Sequence, residues 1–241
     1  MERTMTQTAR VARSGSSLTL RSLLPKSVLG LATAFYLVLA FTYLPPVATF
    51  PQPELARMVA LHLPHAVVAV VAALAAGFWA WRYLVKGRNP IDDARSQVMA
   101  ALAALFCLLT TVTGSVFARY QWGSYWNWDP KQTGIALLLL IYAAYFVLRA
   151  AIEDREKRGQ ISAVYMLFGA IMTPMLGYVI PKYLPSLHPT NTHFDASYHT
   201  VIWLGTACLT GLMVWLYQIA VRYERTRLLL EQLEANASDF A

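Results

Sequence analysis

Histidine and tryptophan are concentrated in a few short segments of this sequence of 241 residues. Three of the seven tryptophans fall within one short segment: Trp122, Trp126 and Trp128. All five histidines lie at the edges of long apolar runs or between them: His62, His65, His188, His193 and His199. Imidazole donates a lone pair to iron, and aromatic rings pack against flat apolar molecules. This composition is typical of a site for a flat, apolar, metal-containing ligand.

Two of the histidines are the strongest candidates for a pair of metal ligands. His62 lies at the start of an apolar run, in MVALHLPH, with Pro64 in the predicted first helical turn, where proline is tolerated. His188 lies in SLHP, between the last two apolar runs. Both segments are predicted to open to the same side, where two imidazoles can bind one iron from opposite faces. A lone boundary histidine more often only forms hydrogen bonds, and this is our interpretation of His65, His193 and His199, although the last two remain alternatives to His188.

Six long apolar runs must position these side chains. A membrane-spanning helix needs about 20 mostly apolar residues, and the runs do not alternate with the period of two expected of barrel strands. We therefore predict an all-α, polytopic membrane protein with six transmembrane helices. The fourth run is short for a span unless it includes residues of the tryptophan-rich motif before it. The runs are 27–44, 62–84, 98–117, 133–148, 161–180 and 200–221.

The composition and the placement of charges agree with this class. Hydrophobic residues make up 57% of the chain and charged residues only 14%, which argues against a soluble domain or a disordered chain. The net charge of +7 comes from twenty basic residues, of which sixteen fall on one side of the predicted membrane. Because basic residues stay in the cytoplasm, both termini are predicted to be cytoplasmic, and the charge is not a nucleic-acid footprint. Cys107 and Cys208 form no CxxC motif, which argues against a disulfide scaffold, a zinc site or a thiol-redox enzyme.

The chain divides into three predicted parts. Residues 1–26 are predicted to be a flexible cytoplasmic N-terminal arm, with an organelle transit peptide as the alternative. Residues 27–222 form the six-helix membrane domain, which carries the tryptophan-rich loop 119–133. Residues 223–241 form a charged cytoplasmic tail.

The segment 122–133, WGSYWNWDPKQT, resembles a known signature. It is similar to the WWD signature, WGxxWxWDxxxT, of the cytochrome c assembly proteins of the CcmC/CcsA type. Chain length, six spans and the outer histidines resemble the CcmC branch, whereas the run DPKQ is closer to the CcsA branch. The resemblance implies a protein that holds haem b at the outer membrane face and passes it toward apocytochrome c. CcmC-type members load a periplasmic haem chaperone beside an ABC transporter, and CcsA-type members act with a second membrane subunit, so the partners stay open.

The resemblance also implies roles for individual residues. It places the two ligand histidines of the family on His62 and His188. Trp122, Trp126 and Trp128 could form a shelf under one haem edge, and Gly123 permits close backbone approach. Asp129 could cap the fourth span, which we favour, or hold an indole N–H or the Lys131 ammonium. Arg119 and Lys131 could meet the haem propionates, with Arg57 as a further candidate; the alternative is that they are solvated interface charges.

Three functions compete at this stage. The favoured one is a haem-transfer protein of the bacterial inner membrane, with a periplasmic active face and no evident catalytic site. The alternatives are a haem exporter or permease subunit and a b-haem quinone oxidoreductase subunit. Both alternatives call for ligand or ionisable residues at mid-membrane, and the centres of the six runs contain essentially none.

Overall fold

A computed structural model describes residues 20–188 and 194–238 of the chain. Within these ranges the regular structure is helical, and six helices are long and apolar enough to cross a membrane, which confirms the predicted all-α, multi-pass fold. A 3₁₀ helix, Pro53–Met58, precedes the second helix, and a π-helical turn, Met175–Val179, and one further turn, Ile180–Lys182, extend the fifth. The six helices are α1 Leu20–Thr42, α2 Val59–Val85, α3 Pro90–Trp122, α4 Pro130–Ala151, α5 Arg155–Pro174 and α6 Ala196–Ser238.

Most of these helices are longer than the apolar runs that predict them. Helix α1 begins at Leu20, so only residues 1–19 of the predicted flexible arm lie outside the described residues. Helix α4 begins at Pro130, so it takes residues from the tryptophan-rich motif, as its length requires. Helix α6 continues through the charged segment that follows its apolar run. The hydropathy pattern marks the length of helix that lies within the lipid bilayer, whereas the helix itself ends where its backbone is capped.

Successive helices run antiparallel, which gives the bundle two distinct ends. We call the end where α3 finishes and α2 and α6 begin the histidine end, because it carries His62 and His188. The opposite end, where α3 and α5 begin, carries Arg82, Arg95 and Arg149, and we call it the arginine end. Helix α1 begins at the arginine end, and helix α6 ends there.

Helix α2 lies at the centre of the bundle and packs against α3, α5 and α6. Its interface with α3 is built from small residues, among them Ala72 and Ala76 on α2 and Ala103 on α3, all fully buried. The Ser96 hydroxyl donates across this interface to the Ala76 carbonyl over 2.9 Å. Small residues let membrane helices approach closely, because lipid supplies little hydrophobic drive for helix association.

Pro64 lies in the second turn of α2, so its predicted place in the first turn is wrong. A proline inside a helix leaves the carbonyl four residues before it without its usual donor, here the carbonyl of Ala60. The Tyr36 hydroxyl on α1 donates to that carbonyl over 2.8 Å. The proline therefore creates an acceptor that attaches α1 to α2 two residues before His62.

Charged side chains at the arginine end form partly buried ion pairs. Asp92, 1% exposed, lies 3.0 Å from both Arg82 and Arg95. The Arg149 guanidinium donates to both carboxylate oxygens of Asp93 over 2.7 and 2.9 Å. These pairs satisfy charges at the margin of the apolar region, where an unpaired charge is costly.

Candidate haem site at the histidine end

The tryptophan-rich segment is a short loop between two helices. Helix α3 continues through Trp122 and ends at Gly123, whose φ of 80° lies in the left-handed region that favours glycine. Helix α4 begins at Pro130, with Asp129 as its N-cap. The stretch between the two helices is therefore 123–129, and the flanking parts of the predicted segment 119–133 lie in helical turns that hold Arg119, Trp122 and Lys131.

Asp129 is the most highly connected side chain of this region. One carboxylate oxygen accepts from the backbone N–H of Lys131 over 3.0 Å, which confirms the predicted helix cap. The other accepts from the Ser186 hydroxyl over 2.8 Å and from the Leu187 N–H over 2.7 Å. The residue is 4% exposed. Asp129 thus joins the α3–α4 loop to the segment that carries His188.

His188 is oriented by the same carboxylate. Its Nδ1 lies 2.9 Å from Asp129 Oδ1, and its ring contacts the Trp122 indole at a centroid distance of 4.8 Å. Burial, and to a smaller extent the positive charge of Lys131, lower the pKa of His188 from 6.5 to about 4, although Asp129 partly opposes both. The ring is therefore neutral at pH 7, with its Nδ1 proton donated to Asp129. The lone pair on Nε2 remains available for a metal.

Hydrogen bonds also hold the pKa of Asp129 below its usual value. Burial by itself acts to raise that pKa, but hydrogen bonds from Ser186, Leu187 and Lys131 stabilise the charged form more strongly. The carboxylate is therefore ionised at pH 7 and can accept the His188 proton.

His62 lies in the first turn of α2 and is oriented by α3. Its Nδ1 is 3.2 Å from the Thr113 hydroxyl oxygen, and that hydroxyl donates to the Leu109 carbonyl over 2.8 Å. Since the Thr113 proton is used in this way, the hydroxyl oxygen accepts from His62 Nδ1. His62 therefore also keeps its Nε2 lone pair free.

Gly114 leaves the space that the His62 ring occupies. A Cβ added at this position would lie 2.8 Å from His62 Cε1, closer than Cβ atoms approach other heavy atoms, and 3.1 Å from Nδ1, which is a tight contact. The absence of a side chain at Gly114 lets the imidazole lie directly on α3.

Aromatic contacts lead along the end of α3 from the turn after Gly114 to His188. Phe117, one turn beyond the His62 contacts on α3, meets the Trp122 ring edge-to-face at 5.7 Å, and Trp122 in turn contacts His188. His62 lies within electrostatic range of His188 and of the Lys131 ammonium. The structure therefore brings the two predicted ligand histidines together at one end of the bundle.

The three tryptophans do not form one surface. Trp122 packs beside His188, whereas Trp126 and Trp128 contact each other edge-to-face at 5.8 Å. Trp128 is 74% exposed and has a φ of 54°, which is unusual for a bulky side chain. The Thr133 hydroxyl donates to its carbonyl over 3.3 Å. Trp122 thus belongs to the histidine site, and the other two indoles, Trp126 half-buried and Trp128 exposed, form a contacting pair at its margin.

Comparison with known proteins identifies the family. The family model described as "Heme exporter protein C" matches residues 5–240. The chain belongs to the Heme exporter protein C family. A relative of that name in Bradyrhizobium diazoefficiens is 27% identical over 196 residues, which cover 77% of this chain and 72% of the relative. A relative in Rhodobacter capsulatus is 27% identical, with 83% of this chain and 86% of the relative covered. One in Escherichia coli K12 is 29% identical, with 62% and 60% covered. The resemblance to the CcmC branch is thereby confirmed.

The predicted propionate-binding cations differ in their surroundings in this member of the Heme exporter protein C family. Arg119 donates to the Gly123 carbonyl and lies over the Tyr125 ring at 5.8 Å, so it stabilises the loop. Arg57 bonds to Glu54 and to the Phe41 carbonyl, each over 2.6 Å, and so attaches the 3₁₀ helix to α1. Lys131, half-buried in the first turn of α4, is the cation whose charge reaches both histidines.

The remaining histidines have other surroundings. The Nδ1 of His65 lies 2.6 Å from the Leu61 carbonyl, a contact within α2. His199 is exposed in the first turn of α6. His193, the other predicted alternative to His188, lies outside the described residues.

Sequence reasoning missed three residues that orient the histidines. Thr113 and Gly114 stand inside an apolar run and look like ordinary helix-packing residues. Ser186, two residues before His188, bonds to Asp129 and lies 3.4 Å from His188 Nδ1. A signal for Ser186 was its polar side chain beside a predicted ligand, but nothing in the sequence points to Thr113 or Gly114.

Proposed function

We propose that this protein holds haem b between His62 and His188 at the outer membrane face and passes it to a haem chaperone or to apocytochrome during c-type cytochrome maturation. Haem is cargo in this function, which is transfer rather than catalysis. The residues fit an iron porphyrin, because they offer two neutral imidazoles in an aromatic setting with a basic side chain, Lys131, nearby for a propionate.

The observation that carries the proposal is that both imidazoles have Nδ1 occupied by a protein acceptor. His188 donates to a carboxylate and His62 to a hydroxyl. Metal-ligating histidines almost always donate their other ring N–H in this way, which fixes the tautomer and raises the basicity of the ligating nitrogen. A histidine that only stabilises the fold has no such requirement on its second nitrogen.

The two histidines have different partners, and this difference suits transfer. The Asp129 carboxylate raises the basicity of His188 more than the Thr113 hydroxyl raises that of His62. His188 should therefore be the stronger iron ligand, and His62 the one that an acceptor replaces first. An acceptor that offers a new iron ligand then shifts the equilibrium toward release.

The contacting pair Trp126 and Trp128, of which Trp126 is half-buried and Trp128 exposed, provides a surface for the acceptor. Trp128 is 74% exposed although it is a large apolar side chain, and it lies in the loop that Asp129 connects to His188. Exposed aromatic residues beside a ligand site are common in protein interfaces. We propose that these two indoles guide the acceptor toward the haem edge.

The charge distribution supports the orientation and the partners that we propose. Most basic residues fall at the arginine end and in the two terminal segments, which is the cytoplasmic pattern. The histidine end then faces the periplasm, across a bacterial inner membrane. Family membership favours a periplasmic haem chaperone, ABC transporter subunits and other cytochrome c maturation membrane proteins as partners.

The ligand assignment is tested by the absorption spectrum of the protein purified in mild detergent. We expect a low-spin b-type haem spectrum that is lost or altered in His62→Ala and in His188→Ala. His199→Ala is the matched control, because this histidine is exposed at the same end of the bundle. An unchanged spectrum in the first two variants, or an equal loss in all three, contradicts the assignment.

A further inference from the structure

The arginine end of the bundle contains a cavity that the haem site does not explain. It lies between α3, α4, α5 and α6 and has a volume of about 240 Å³. Phe146, Ala150 and Leu228 contribute apolar surface to it. Its charged lining consists of four arginines and two carboxylates: Arg149, Arg155, Arg158, Arg227, Asp93 and Glu224.

The ion pairs around the cavity leave positive charge unsatisfied. Arg149 is neutralised by Asp93, to which it donates two hydrogen bonds. Arg227 lies 3.5 Å from Glu224, and it also shares Glu231, which is outside the lining, with Arg155 at 3.1 Å each.

Arg158 contributes the clearest excess of charge. It is half-buried, and in the part of the chain that the structure describes no carboxylate lies within 4 Å of its guanidinium. Four lining arginines against the two lining carboxylates and the adjoining Glu231 leave a net charge of +1. A half-enclosed space of this charge attracts an anion, and guanidinium groups bind phosphate oxygens in bidentate geometry.

The cavity lies at the level where phosphate groups meet a membrane. Arg149 is in the last turn of α4, directly after its apolar run, and Arg155 opens α5. Basic pockets between membrane helices at this level bind the headgroups of anionic lipids. The apolar residue Phe146 extends the wall toward the hydrocarbon region, which would suit an attached acyl chain or another organic group.

We propose that this cavity binds a phosphate group, with Arg158 as the main donor and Arg227, whose Nε–H bonds to Glu231, as the second. The phosphate belongs to an anionic phospholipid or to a soluble phosphate compound, and the two sources share the recognition chemistry. The site is separate from the histidine end, and its failure would leave the proposed haem function unaffected.

The test uses the full-length protein purified in detergent. Binding of phosphatidylglycerol, phosphatidylcholine and inorganic phosphate is measured by native mass spectrometry and by the shift in thermal unfolding temperature. The variants are Arg158→Gln, Arg227→Gln and the charge-preserving Arg158→Lys. The control is Arg225→Gln, which removes an exposed arginine of the same end that is not part of the cavity lining.

We expect phosphatidylglycerol to bind more tightly than phosphatidylcholine, and Arg158→Gln or Arg227→Gln to weaken it about fivefold, the usual effect of one basic residue near a membrane surface. Arg158→Lys should retain most of the binding and Arg225→Gln all of it. The same variant pattern with inorganic phosphate alone would support the soluble source. Equal effects of Arg158→Gln and Arg225→Gln would overturn the proposal. So would the combination of equal binding of phosphatidylglycerol and phosphatidylcholine with no binding of inorganic phosphate.

Discussion

His188 Nδ1 lies 2.9 Å from Asp129 Oδ1, and this contact joins two loops that are 59 residues apart in the sequence. The same carboxylate caps α4 and accepts two further hydrogen bonds from Ser186 and Leu187. The buried Asp129 carboxylate thus fixes the positions of His188, the start of α4 and the tryptophan loop relative to one another.

Replacing Asp129 by Asn should weaken haem binding without unfolding the loop. Asn is as good an N-cap as Asp, so the start of α4 should be kept. It lacks the charge that makes His188 a strong ligand, and loss of such a partner typically costs about 10–100-fold in metal affinity. The measurement is a haem titration of the purified Asp129→Asn variant.

Asp195→Asn is the matched control for that titration. Asp195 precedes α6 at the same end of the bundle and accepts from the Ser197 N–H over 3.0 Å, but it has no described contact with either predicted ligand. If both variants bind haem as tightly as the unmodified chain, the carboxylate does not act on the ligand.

Replacing Gly114 by Ala should disturb His62. The added Cβ would lie 2.8 Å from the His62 ring, so either the imidazole or α3 must move. We expect about a tenfold loss of haem affinity and a change in the low-spin spectrum, at the lower end of the effects seen when ligand orientation is disturbed. Gly30→Ala is the control, because a Cβ there meets nothing within 4 Å. Retention of the full spectrum in Gly114→Ala would show that the His62 ring position does not matter.

The six spans could be predicted from the sequence because each depends on local hydropathy. Lipid selects about 20 consecutive apolar residues, and this requirement involves no distant part of the chain. The Asp129 cap could be predicted for the same reason, since Asp-Pro before an apolar run is a local helix-start signal.

The relation between His188, Asp129 and Thr113 could not be predicted in this way. The Asp129–His188 contact joins two loops, and His62 reaches Thr113 across 51 residues. Such contacts depend on how the helices pack, which the hydropathy pattern does not encode. The division of the three tryptophans into one site residue and one separate pair has the same origin, because Gly123 and Trp128 set the loop path through their positive φ angles.

Replacing Trp128 by Gly should separate the function of this residue from its structural role. Its backbone lies in the left-handed region, which costs a non-glycine residue about 1–2 kcal/mol, and its exposed ring buries little surface. We expect Trp128→Gly to keep or raise the thermal unfolding temperature while lowering the yield of mature c-type cytochrome in cells that depend on this protein. Arg88→Gly is the control, since Arg88 has a φ of 56° at the opposite end. Normal cytochrome yield from Trp128→Gly would remove the indole from the transfer step.

Removing the Arg149 guanidinium should destabilise the bundle far from the haem site. Arg149 is 8% exposed and bonds to both oxygens of Asp93 and to Gln97 over 2.9 Å. Breaking one partner of a buried pair leaves the other charge uncompensated, which costs about 3–5 kcal/mol. We expect Arg149→Gln to lower the free energy of unfolding by roughly this amount, and Asp93→Asn combined with Arg149→Gln to recover much of it.

The control is Arg88→Gln, which breaks the exposed Arg88–Glu156 pair and should lower the free energy of unfolding by less than about 1 kcal/mol. The comparison is made by denaturant titration in detergent, and equal losses for Arg149→Gln and Arg88→Gln would contradict the assignment of Arg149 as a buried structural charge.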